Sequence, residues 1–317
     1  MDNLQLIATL VLTALTVYAP SNAQSTRSAS DAAKPQLLRY EDDHLRLLEV
    51  TYLPGEQYDM PEGSPYPAVI ALGAPQPRME HSPLASNKIL HDDGFGIGPA
   101  PAGMSLPRCL TMGAQPPFRV KNIGNSPAHF YRIEFKRIDG EDFRTRWAEW
   151  YPYLKERHTA AEWFEKTGHK PFGQAEVTQP PPGSPTERTL NPDGYPYPDS
   201  YDSVRIAPGQ HWLRYEDANV RFIEVMYRPG ERGDATHGHP YPSVFAKDSV
   251  RGHSKNEFMD PASNLNGQGS GNGSAPAGAD YPTCSTMAPQ APHRPQNVDA
   301  IPMHFYRIEF KHLDQEK

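Results

Sequence analysis

"LRYEDANVRFIEVMYRPGERGD", residues 213–234, reads as extended chain closing on a turn. It is rich in β-branched and aromatic residues and ends in Pro-Gly, a turn signal. Nearly the same phrase stands earlier as "LRYEDDHLRLLEVTYLPGEQYD", residues 38–59. Two more pairs follow: "APAGMSLPRCLTM" (100–112) with "APAGADYPTCSTM" (275–287), and "PAHFYRIEFK" (127–136) with "PMHFYRIEFK" (302–311). All three pairs share an offset of 175 residues. One constant offset with no net insertion means a duplicated domain, and that sets the domain plan before any finer reading.

Inside each repeat the pattern is strand-like. "HFYRIEFK" alternates, with His304, Tyr306, Ile308 and Phe310 on one face and Phe305, Arg307 and Glu309 on the other. The first face is mostly apolar and is expected to be core. "SKNEFMDPASNLNGQGSGNGSAPAGAD" (254–280) is rich in Gly, Asn and Ser and is expected to be a mobile loop. Between the repeats, residues 144–168 carry helix formers, with "TAAE" (159–162) as a capping box and Gly168 as a stop. Trp147, Trp150, Trp163 and Phe164 would pack that helix on a domain. "QPPPGSP" (179–185) is then an extended linker.

The whole chain of 317 residues carries 35 prolines and 24 glycines, which favours many short strands over a helical protein. Net charge is −7 and no long basic run occurs, which argues against a nucleic-acid partner. Residues 1–23 read as an export signal: Leu4–Ala19 is apolar but short for a membrane span, and "SNA" before position 24 is a small-x-small cleavage pattern. The absence of Lys and Arg before it, and Asp2, run against that reading. The mature chain is expected to have no membrane span and to be secreted or periplasmic. Cys109 and Cys284, the only cysteines, sit at matching places in the repeats. They can pair in an oxidising compartment if their Cα atoms come within about 7 Å. The reading preferred here is two buried small side chains in equivalent strands.

The repeats differ where histidines stand. "GDATHGHPYPS" (233–243) aligns with "YDMPEGSPYPA" (58–68), so Glu62 and Ser64 replace His237 and His239. His293 aligns with Phe118. Residues i and i+2 on a strand share a face, so His237 and His239 can bring two imidazoles to one point. His293 on a neighbouring strand would complete a facial set.

The second repeat, with "YEDANVRFIEV", "RPGE", "HGHP" and "HRPQN", resembles the cupin superfamily, in particular small single-barrel cupins found duplicated in bicupins. The resemblance covers residues 35–140 and 208–313. It implies a mainly β protein of two cupin-like, jelly-roll barrels joined by a partly helical linker, residues 141–207. It implies a metal site at His237, His239 and His293, a degenerate metal-free first barrel, and a divalent transition metal (Fe, Zn, Cu, Ni or Mn). The family's usual glutamate would fall near Ser243 or Val244, and no carboxylate is there. A site of three neutral ligands keeps the full charge of its metal, which favours a small anionic or chelating substrate and disfavours manganese chemistry that needs the glutamate.

Two functions follow: an exported metalloenzyme, with dioxygenase as one reaction class, or a non-catalytic small-molecule, carbohydrate-binding or assembly bicupin. A homo-oligomer stays open. His129 and His304 are read as structural, Arg46 with Arg221 and Glu49 with Glu224 as in-barrel or interface ion pairs. His211, His253 and His312 are read as solvated surface.

Overall fold

A computed structural model describes residues 35–75, 77–84, 104–136, 195–247, 254–260, 272–273, 282–299 and 303–313. The export signal, the helix expected over 144–168 and His253 lie outside these residues.

The first repeat forms two antiparallel sheets. One holds β1 (Gln36–Glu41), β2 (Leu45–Tyr52), β8 (Ala128–Phe135), β4 (Ala68–Leu72) and β6 (Arg108–Met112), in that order. The other holds β3 (Gln57–Met60), β7 (Phe118–Asn122) and β5 (Met79–Pro83). The second repeat builds the same pair. Its larger sheet runs β14 (Asn272–Gly273), β15 (Thr283–Met287), β12 (Ser243–Lys247), β17 (Met303–Phe310), β10 (Val220–Tyr227) and β9 (His211–Glu216). Its smaller sheet runs β11 (His237–His239), β16 (Gln290–Asn297) and β13 (Ser254–Phe258). Each repeat is thus a two-sheet barrel of jelly-roll type.

Residues kept in both repeats explain the shared frame. The Pro-Gly turns need a left-handed residue, and Gly55 and Gly230 supply φ of 77° and 70°. Asn122 Nδ2 donates to the carbonyl of Tyr52 at 2.9 Å, and Asn297 Nδ2 donates to that of Tyr227 at 3.2 Å. Each asparagine ties the end of a smaller-sheet strand to the larger sheet.

The larger sheets are buried on both faces, which explains strands such as β12 and β17 with every residue buried. In β17 the face of Tyr306, Ile308 and Phe310 joins Val69, Ile133 and Phe135 of the first barrel in one core. The expected apolar face is therefore the seam between barrels. The opposite face, with Phe305 and Arg307, looks into its own barrel. The seam contacts are reciprocal: Tyr131 packs on Phe310 at 6.1 Å and Phe135 on Tyr306 at 6.0 Å, between ring centroids. Tyr131 matches Tyr306 and Phe135 matches Phe310 under the 175-residue offset, so the barrels meet as two halves of an isologous pair do.

Such an arrangement brings matching residues together, and Cys109 and Cys284 form a disulfide across the seam, with Cα atoms 6.3 Å apart. This corrects the expectation of two unpaired buried thiols. A second correction concerns residues 254–280. The polar run opens as strand β13, because its backbone pairs with β16 from Ser254–Asn297 to Phe258–His293.

The end of the linker packs on the second barrel. A 3-10 turn (Asp199–Tyr201) leads into the short helix α1 (Ser203–Ile206), capped by the Asp202 side chain. Asp202 also bridges Gly238 of β11. Among the described residues, no helix is long and apolar enough to cross a membrane.

Candidate metal centre

β11 is three residues long, His237-Gly238-His239, and all three are buried. The residue between the imidazoles is glycine, and a side chain there would displace the Tyr195 hydroxyl and crowd the Gln290 carbonyl. A Cβ there would stand 2.1 Å from the Tyr195 hydroxyl and 3.1 Å from the Gln290 carbonyl. Tyr195 donates to that carbonyl at 2.9 Å, so the linker closes over the strand that carries the histidines.

β11 pairs with β16, placing His237 opposite His293. The ring centroids of His237 and His239 are 5.3 Å apart, and His293 lies 5.0 Å from the first and 5.9 Å from the second. A fourth imidazole joins them. His211, at the start of β9, has its ring 4.4 Å from His237 and 5.4 Å from His239. It is 3% exposed, which corrects its reading as surface. His211, His237 and His239 each bring one ring nitrogen within 4.8 Å of the others, a group that could hold a metal ion. His312 is exposed, as read from the sequence.

The donor chemistry fits a metal. His237 Nδ1 faces the Ala235 carbonyl at 3.2 Å and His293 Nδ1 the Ala291 carbonyl at 2.9 Å. His239 Nδ1 faces Glu309 Oε1 at 2.9 Å and the Ser203 hydroxyl at 3.3 Å. An Nδ1–H donated to such acceptors leaves Nε2 with its free lone pair, the orientation that metal-binding histidines adopt. His211 Nδ1 is buried without a hydrogen-bond partner. Burial holds His211, His237 and His239 well below the ordinary imidazole range, and pulls His293 down to about 4. All four are therefore neutral at pH 7 and able to ligate.

Behind the cluster lies a buried ion network. Glu309 pairs with Arg221, and Arg221 Nη1 donates to Asp202 at 2.6 Å. Arg307 Nε lies 2.9 Å from Glu309 Oε1. Burial draws the Arg307 guanidinium down to about 10, which leaves it charged at neutral pH. On the seam side, Glu224 accepts from Arg214 and from His304, as Glu49 does from Arg39 and His129. The paired Arg and Glu positions thus divide between an in-barrel network and an interface network.

The four histidines line a cavity of about 370 Å³, together with Tyr227, Phe245, Gln290, Phe305 and Arg307. At matching places the first barrel has Gln36, Glu62, Ser64 and Phe118. Glu62 is exposed, and Phe118 is buried among Leu48, Val50, Tyr52 and Val120.

The paired antiparallel sheets of each repeat are the mainly β, jelly-roll architecture expected from the sequence. Solved structures similar to the chain include a cupin 2 conserved barrel domain protein from Leptotrichia buccalis, at 10% identity and TM-score 0.24, over 87% of this chain and 88% of that one. Oxalate decarboxylase from Lactobacillus farciminis gives 13% identity and TM-score 0.22, over 87% and 80%. Salicylate 1,2-dioxygenase from Pseudoaminobacter salicylatoxidans gives 9% and 0.22, over 84% and 68%. Likeness at this level says nothing of chemistry. No protein-family model and no curated protein matches the chain.

Sequence reasoning missed His211, Gln290 and Arg307. His211 precedes the phrase that starts at 213, yet the same offset sets it opposite Gln36. Arg307 is shared with Arg132, so a search for differences between repeats passes over it.

Proposed function

We propose that the second barrel binds one divalent transition metal through His237, His239, His293 and His211, and that the protein is an exported metal-dependent enzyme of dioxygenase type. The observation that carries this reading is the convergence of the buried His211, His237 and His239, with ring nitrogens within 4.8 Å of one another and His293 beside but outside that group, at places where the sister barrel has no histidine. Nitrogen donors of this kind suit Fe, Cu, Zn or Ni. A metal bound there supplies Lewis acidity and, if redox-active, a means of handling O₂.

The protein's own part is positional. Glu309 fixes the His239 ring, the Ala235 and Ala291 carbonyls fix His237 and His293, and the cavity of about 370 Å³ has room for a small molecule. The inter-barrel disulfide supports an oxidising compartment, as export would provide.

The test is elemental analysis of the full chain after expression with each candidate metal, followed by O₂ uptake on a panel of catechols, thiols and diketones. Bound metal with O₂ uptake that His237→Ala abolishes supports the proposal. Bound metal with no turnover of any panel member contradicts the enzyme and leaves a binding protein. No bound metal contradicts both.

A further inference from the structure

Arg132 and Arg307 occupy the same place in the two repeats, and both are buried. In the first barrel the Nη2 of the arginine is satisfied internally, and the two arginines are alike at Nε, which lies against a glutamate in both. Arg132 Nη2 donates to the Ser64 hydroxyl, and that hydroxyl is bonded to Glu134 Oε1 at 2.8 Å. In the second barrel His239 replaces Ser64. Its Nδ1 is bonded to the carboxylate oxygen of Glu309, and its ring accepts no hydrogen bond from the arginine's Nη2. Arg307 Nη1 donates to Gln290 Oε1, and Nη2 is left buried with no hydrogen-bond partner.

A second side chain changes in the same way. Tyr52 of the first barrel is hydrogen-bonded to the Gln36 side chain. Its counterpart Tyr227 faces His211 instead, and the Tyr227 hydroxyl is buried without a partner. Both orphaned groups belong to residues that line the histidine cavity.

Unmade hydrogen bonds of a buried cation are costly, and a guanidinium presents donors in a planar fork that matches a carboxylate. The charge balance points the same way. Arg221 and Arg307 are offset by Glu309 and Asp202, and the imidazoles are neutral. A divalent metal would therefore leave the site with two uncompensated positive charges.

We propose that Arg307 is the anion-binding residue of the second barrel and that the ligand is a small carboxylate whose remaining donor atoms lie at the histidine cluster. This rests on reading the cavity as a ligand site and deepens it by naming the substrate class.

The test uses the full chain, metal-free and zinc-loaded, titrated calorimetrically with oxalate, malonate and succinate and with malonamide as a neutral counterpart of malonate. Wild type should prefer at least one dicarboxylate over malonamide. Arg307→Gln should lose roughly tenfold to a hundredfold in that affinity, the worth of a hydrogen bond to a charged group, with malonamide and zinc content unmoved. Arg132→Gln should bind as wild type does. If Arg307→Gln does not fold, Arg307→Lys carries the test: it keeps the charge but loses the fork, so affinity should fall while the preference for the anion stays.

No preference for any dicarboxylate in wild type, including no binding at all, overturns the inference. So does unchanged affinity in the folded Arg307 variant. Arg307-dependent binding to a chain that takes up no metal would keep this inference and sink the metal reading. Zinc uptake without anion preference would do the reverse.

Discussion

The two barrels share strands, turns, the Asn ties and both ion networks, and differ in what their interiors present. Glu134 and Glu309 stand at the same place, each held by two arginines. One orients a serine hydroxyl and the other an imidazole. The scaffold that fixes a side chain is therefore common, and the side chain it fixes is not. Phe118 shows the same division: where His293 turns to the cavity, the first barrel keeps an apolar ring in its core. Histidines are not needed for this fold, so their presence in one barrel calls for a reason other than folding.

The largest expected difference between barrels lies at that carboxylate. Glu309→Gln leaves Arg221, which is fully buried, and Arg307 short of a counter-charge. A loss on the order of 3–5 kcal/mol in urea unfolding is expected. Glu134→Gln should cost less, because the Arg46 side chain is 31% exposed and water replaces its partner. Equal losses would break the distinction between a sealed and a leaky network.

The seam should come next. The cross-link joins residues 175 apart, so replacing Cys109 and Cys284 by Ala should lower stability by roughly 2–4 kcal/mol. The shared core should still hold the barrels together, so one unfolding transition is expected. Two separated transitions would show that the disulfide alone couples them.

Acid should separate the barrels more gently. Burial lowers the folded-state pKa of the four cavity histidines, so the unfolded chain binds their protons first as pH falls. Stability is then intact above about pH 6.5 and declines below it, by up to about 1.4 kcal/mol per pH unit for each histidine. For His293 the decline should end near pH 4. His293→Gln should flatten the pH–stability curve of the metal-free chain between these limits. Phe118→Leu in the first barrel should shift the curve without changing its slope. An unchanged slope in His293→Gln would show that the imidazole titrates freely in the folded state.

Much of this was legible in the sequence because duplication separates residues by role. The strands of each repeat and the i, i+2 geometry of His237 and His239 follow from period-2 patterning. His293 followed from the resemblance of "HRPQN" to a cupin motif, and its offset partner Phe118 marked it as unshared. What stayed hidden depends on how two barrels pack. The disulfide forms because matching residues meet near the seam, and no spacing within one repeat shows that. His211 sits at the start of β9, just outside the repeated phrase, and reaches the cluster only when β9 joins the larger sheet. Arg307 is shared with Arg132, and its difference arises from a neighbour, since a histidine stands where the first barrel has the serine that takes the arginine's Nη2 hydrogen bond. Strand β13 was hidden by its polar composition, which its pairing with β16 overrides.

The most direct test of the central claim is metal content of the full chain by elemental analysis, compared across variants of the two barrels. About one ion per chain is expected for wild type and for the first-barrel double variant Glu62→Ala/Ser64→Ala, falling to background in His237→Ala/His239→Ala. Equal metal content in both variants, or none in the folded wild type after metal-replete expression, would contradict it.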